Sequence, residues 1–138
     1  MRITQEADYA VHMISCLAKQ GGRLDAHSIS NITGVTPRFT LKILRKLVKS
    51  GIVKSFIGVS GGYELTKEPS AINLRQVIEA VDGPIAISRC LSGESQCSLT
   101  AGECGCDYHR IFADVSKTIQ DKLESITFEN SPRLPAEK

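Results

Sequence analysis

The chain has 138 residues, a hydrophobic fraction of 41% and a formal net charge of +2. That length fits one compact domain with an appendage. No apolar run approaches the ~20 residues that cross a bilayer. The N-terminus carries Arg2, Glu6 and Asp8 without a leader's apolar core or cleavage pattern, so a cytoplasmic protein with no membrane partner is expected.

Residues 4–20, TQEADYAVHMISCLAKQ, predict a helix. Thr4 is a candidate N-cap and Glu6 places an anion in the first turn, where the helix dipole favours it. Ala7, Ala10, Val11, Ile14, Leu17 and Ala18 recur at helical spacing and form the inward face. Cys16 lies near that face and reads as a core thiol. Asp8 and His12 are four residues apart and share one side, within reach of a common metal.

Residues 26–33 predict a short second helix, capped by Asp25, with Ile29 and Ile32 inward and Gly34 as its stop. VTPRFTLKILRKLVKSG follows. Thr36 is expected to cap a third helix and Pro37 to occupy its first position, where a missing N–H costs nothing. Phe39, Ile43, Leu44, Leu47 and Val48 supply the packing face, while Arg38, Lys42, Arg45 and Lys49 make a basic stripe opposite. No acidic residue occurs between Asp25 and Glu64, although this interval also holds Lys46 and Lys54. A basic field on a nearly neutral chain is an anion-binding footprint, and nucleic acid is the usual large anion. Two short helices joined by a tight turn, the second basic, describe a helix-turn-helix.

Residues 52–57, IVKSFI, predict a strand, 58–62 a glycine-rich turn, and Tyr63-Glu64-Leu65 the returning strand, together a β-hairpin wing. The glycines let the turn lie close to DNA. The candidate DNA contacts are Arg38, Thr40, Lys42, Arg45, Lys46 and Lys49, with Ser60 and Gly61 in the wing. After Pro69, Asn73 and Gln76 make a capping box for another helix, whose Leu74, Val77, Ile78 and Val81 face inward and which Asp82-Gly83-Pro84 ends.

Cys90 to His109 reads CLSGESQCSLTAGECGCDYH and holds four of the five cysteines: Cys90, Cys97, Cys104 and Cys106. Its glycines and polar residues bury little apolar surface, so a metal or an iron–sulfur cluster is the expected ordering element. In a reducing compartment clustered cysteines read as ligands before disulfides. Residues 107–127 predict one long helix with Phe112, Val115, Ile119, Leu123 and Ile126 as its apolar stripe. A symmetry mate is the natural cover for that stripe, giving a homodimer. The expected fold is therefore mainly α. It comprises a winged helix-turn-helix domain over 1–84, a cysteine-rich loop over 85–106, a dimerisation helix over 107–128 and a disordered tail over 129–138.

MRITQEADYAVH, the helix-turn-helix, the GGY of the wing, VIEAVDGP, the SRC at 88–90 and the C-x2-H of Cys106 to His109 together carry a resemblance. The chain resembles the iron–sulfur cluster-binding winged-helix regulators of bacteria, the family of IscR, NsrR and RirA, from its start to about DKLESITF. The resemblance implies a homodimeric transcription factor on a palindromic DNA operator, with one cluster per subunit held by three cysteines and one non-cysteine ligand. Cys90, Cys97 and Cys106 match the family cysteines. Six residues separate Cys90 from Cys97, one more than the usual pattern, and Cys104 is additional, so either Cys104 or Cys106 or both can ligate. For the remaining ligand Asp8 is taken first, ahead of His12 and His109, all of which match positions used by some relatives. A [4Fe-4S] cluster is favoured over [2Fe-2S]. Ile57 stands where relatives commonly carry an arginine near the wing tip.

The implied function is a regulator, acting as a repressor, that senses redox state, iron or nitric oxide through the cluster. The competing reading is a winged-helix protein with a structural zinc and no sensing. An enzyme is not expected, because the CGC of Cys104 and Cys106 is not a CxxC and no general base accompanies it.

Overall fold

Thr4, Asp25 and Asn73 each start a helix in the computed structural model, which describes residues 2–88, 91 and 107–129. The Thr4 side chain accepts from the Ala7 N–H at the head of α1 (Gln5–Gln20). The Asp25 carboxylate accepts from the Ser28 N–H at the head of α2 (Ala26–Thr33). Asn73 and Gln76 form the reciprocal capping box of α4 (Leu74–Asp82). Between these lie α3 (Pro37–Lys49), β1 (Val53–Phe56), β2 (Gly62–Leu65) and a 3-10 turn over Pro69–Ala71; α5 (Asp107–Glu124) comes last. Thr36 precedes α3 but makes no side-chain cap; Pro37 alone marks that start.

The core is where α1, α2, α3 and α4 meet. Met13, Ile14 and Leu17 of α1 pack with Ile29, Ile43, Leu44, Leu47, Val53, Ile72 and Val77, all buried. Burying each such side chain stabilises the fold by roughly 1.5–3 kcal/mol. β1 and β2 pair antiparallel in the register Val53 with Leu65 and Phe56 with Gly62. Leu24, in the turn after α1, bridges to Tyr63 and ties the hairpin to the helical body. The result is mainly helical with a single two-stranded hairpin among the described residues, the architecture of a winged helix-turn-helix.

Several predicted faces are corrected. Met13 is fully buried, although the periodicity picked Val11 and Ala18 beside it. Ile32 and Phe39, expected inside, are about half exposed at 52% and 42%. Of the two isoleucines of α2 only Ile29 is buried, and Phe39 turns outward to meet Tyr9 edge-on at 6.4 Å.

α5 stops at Glu124, not at 127. The chain then turns and runs beside the start of α4: the Leu74 N–H donates to the Ile126 carbonyl at 3.0 Å and the Phe128 N–H to the Ile72 carbonyl at 3.1 Å. This seats Phe128 in the core. The two halves of α5 therefore differ. Ile119 and Leu123 pack on Ala7, Ile78 and Ile85 of their own chain, while Tyr108, Ile111, Phe112 and Val115 stay exposed. The expected tail beyond 129 lies outside the described residues.

Candidate nucleic-acid interface and cluster site

α3 projects its basic residues from the face opposite Ile43, Leu44 and Leu47. Arg38, Arg45 and Lys49 are exposed and, among the described residues, have no ion pair. Lys42 and Lys46 reach across to α1. Each ammonium donates to one oxygen of the Glu6 carboxylate, at 2.6 Å in both cases. These two donors hold the Glu6 carboxyl at about 2, well below the usual carboxylate range, Lys42 contributing most and Lys46 next. Lys42 also stands 6.0 Å from the Phe39 ring.

Thr40 is a correction. It is fully buried, with its hydroxyl donating to the Val35 carbonyl at 3.4 Å, so it locks the turn between α2 and α3 from inside and offers nothing to DNA. Ser30 donates to the same carbonyl at 2.5 Å. The two hydroxyls fix the angle at which α3 leaves the turn.

The wing carries Ser60 and Gly61 at its turn, where Ser60 is exposed and Gly61 half-buried. A Cβ on Gly61 would stand 2.6 Å from the Phe56 carbonyl oxygen, so only glycine fits this close approach. Ile57 and Val59 project fully into solvent. Arg23, which the sequence did not single out, holds the hairpin. Its guanidinium lies 3.5 Å over the Phe56 ring, donates to the Ser60 carbonyl at 2.9 Å and pairs with Glu64 at 3.7 Å. The available signal was a cation directly after Gly21-Gly22, which is uninformative without the tertiary contact.

Asp8 and His12 do meet on α1, with Oδ1 and Nε2 3.6 Å apart, and both side chains are at least half exposed. An oxygen and a nitrogen donor thus sit side by side, open to a further ligand. His109 lies in the first turn of α5 and is exposed. Cys90, Cys97, Cys104 and Cys106 lie outside the described residues. Cys16 does not: it is buried at 6% exposure, and burial pushes its thiol up. No three described His, Cys, Asp or Glu residues converge on a metal site, so Asp8, His12 and His109 do not form one by themselves. The approach to the cysteine segment is fixed to α5. The Gln120 side-chain amide donates to the Ile85 carbonyl at 2.7 Å, and the Ile87 N–H donates to the Ser116 hydroxyl at 3.1 Å.

The chain is similar in sequence and fold to known proteins. The family described as Rrf2, iron-dependent transcriptional regulator, matches residues 3–130. An rrf2-like HTH-type transcriptional regulator of Rhodobacter capsulatus is 33% identical over 135 residues, 93% of this chain and 90% of the relative. The HTH-type transcriptional regulator IscR of Yersinia enterocolitica is 34% identical over 129 residues, 92% of this chain and 76% of the relative. Two solved structures show the same fold. CymR, the global cysteine regulator of B. subtilis, matches with a TM-score of 0.76 at 23% identity, over 94% of this chain and 95% of that one. IscR of T. potens matches with a TM-score of 0.72 at 24% identity, over 94% and 85%. No helix among the described residues is long and apolar enough to cross a membrane. With a winged helix-turn-helix, a basic α3 and regulators as its relatives throughout, this chain is not an enzyme but belongs to the Rrf2 family of DNA-binding transcriptional regulators.

Proposed function

We propose that the chain is a cytoplasmic, homodimeric repressor that binds a palindromic operator and responds to redox state, iron or nitric oxide through one iron–sulfur cluster per subunit. The observation that carries this reading is the placement of four cysteines immediately before α5, whose adjoining half leaves Tyr108, Ile111, Phe112 and Val115 uncovered. Cys90, Cys97 and Cys106 would hold the cluster, with Asp8 as the first non-thiolate donor and Cys104, His12 and His109 as the others available. The donor chemistry fits, since thiolates suit iron–sulfur clusters and the Asp8–His12 pair is exposed. The cluster, when bound, supplies the redox- and ligand-responsive centre, with [4Fe-4S] favoured over [2Fe-2S].

The chain's own residues supply the rest. Gln120 and Ser116 fix residues 85–87 to α5, so the entry to the cysteine segment shares the helix that joins the subunits. A two-fold dimer spaces its two α3 helices for successive major grooves, ~34–36 Å apart. Arg38, Lys42, Arg45, Lys46 and Lys49 face the groove and backbone, and Arg23 steadies Ser60 and Gly61 of the wing beside it.

A structural zinc is the second reading. Cys104 favours it, because four cysteines match a closed tetrahedral thiolate site. Protein purified without oxygen decides between them through iron, inorganic sulfide and zinc contents, visible absorption and Mössbauer spectra. We expect iron and sulfide with a coloured protein, and a changed spectrum in Asp8→Ala. Stoichiometric zinc without sulfide overturns the cluster; an unchanged spectrum in Asp8→Ala removes that ligand.

A further inference from the structure

Glu6 is an acidic side chain on the edge of a basic surface, and its position there is specific. It lies in the first turn of α1, yet it bonds both lysines that point from α3 toward α1. Each carboxylate oxygen takes one ammonium at 2.6 Å, in a bidentate arrangement across two helices. The carboxylate is shielded, with 25% of its side-chain surface exposed, whereas the Lys42 side chain is 55% exposed and still faces outward. Two positive charges on the α3 face are thereby reduced to a net charge of one. Arg38, Arg45 and Lys49 in the same helix are left without such a partner among the described residues.

We propose that Glu6 is a specificity-determining residue that competes with DNA phosphates for Lys42 and Lys46 and so suppresses binding to non-operator sequence. The physical reason is charge bookkeeping at the phosphate backbone. Each lysine that neutralises a phosphate releases a counterion and steepens the dependence of log affinity on log salt by about 0.9. This term is blind to sequence, whereas base-edge contacts made by other residues are not. A carboxylate that keeps two lysines occupied removes much of the sequence-independent attraction. Lysine is a flexible point charge, so release from Glu6 requires only rotation of its stem, and the pair can be exchanged for phosphates on a well-fitted site.

The proposal rests on α3 being the DNA-facing helix, and the experiment keeps the two claims apart. Operator and random duplexes are titrated with the wild-type dimer, Glu6→Gln, Glu6→Ala, Arg45→Ala, and Glu6→Gln combined with Lys42→Ala and Lys46→Ala, over a fourfold range of salt. Thermal unfolding checks each fold. Both Glu6 variants are expected to tighten random-duplex binding, with a salt slope steeper by up to about 1.8. Their gain over wild type should therefore fall roughly tenfold across that salt range. Removing both lysines should abolish the gain, and the ratio of operator to random affinity should drop in Glu6→Gln. Unchanged random-duplex affinity and slope in the folded Glu6 variants, with Arg45→Ala weakened, overturns the role of Glu6 alone. A gain that survives loss of both lysines does the same. Undiminished binding in Arg45→Ala overturns both this role and the placement of α3.

Discussion

Cys16 illustrates what burial does to a thiol. Four cysteines share a polar segment, but this fifth lies among Met13, Ile14 and Leu17 on the inner side of α1. Its thiol is pushed up by burial, so the thiolate needed for ligation or alkylation is scarce. Cys16→Ser should keep the full chromophore of anaerobically prepared protein. In the native wild type this thiol should alkylate only after unfolding, as read by mass spectrometry. Loss of the chromophore in a folded Cys16→Ser protein contradicts the assignment. The same residue-by-residue logic separates Thr40 from its neighbours. The sequence lists it among the candidate DNA contacts of α3, but it is buried and its hydroxyl is spent on the Val35 carbonyl inside.

At the scale of elements, α5 and the strand-like segment after it form one unit with α4. Arg75 links the two helices, pairing with Glu79 at 3.3 Å and Glu124 at 3.1 Å. Surface pairs of this kind are screened by solvent and contribute little. Phe128 matters more, because it is 6% exposed and sits in the main core at the end of a segment hydrogen-bonded to residues 72–74. Phe128→Ala should destabilise the protein by about 3–5 kcal/mol in urea unfolding. It should also loosen the C-terminal half of α5, raising amide exchange at Ile119 and Leu123. A loss below about 1 kcal/mol, the size of a surface change, would show that the segment after α5 does not anchor it.

For the whole molecule, the division of α5 sets the expected assembly. Its second half is committed to its own chain, and its first half offers Tyr108, Ile111, Phe112 and Val115. The Tyr108 and Phe112 rings already lie 6.4 Å apart, tilted by 34°, along that face. Covering such a patch with its own copy is isologous, so one substitution appears twice in the interface. Ile111→Asp should shift the protein toward monomer in sedimentation velocity and weaken operator binding, while circular dichroism stays unchanged. A dimer of undiminished strength in Ile111→Asp would place the interface elsewhere.

The sequence by itself determined what depends on neighbours along the chain. Asp25, Asn73 with Gln76, and Pro37 mark helix starts because a cap or a missing N–H acts within one turn. The order of helices, the hairpin and the acid-free basic stretch follow from the same short-range patterns. The family motifs carried the regulator class, through residues spread over the whole chain. Tertiary structure alone decided which basic residues are paired, since Glu6 lies 36 and 40 positions from Lys42 and Lys46. It likewise placed Arg23 on a wing 37 positions away and Phe128 in a core built mostly from the first 80 residues. Periodicity reports the angle of a side chain about its own helix and not what stands opposite. That is why Ile32 and Phe39, apolar and correctly phased, could emerge on the surface while Thr40 went inside.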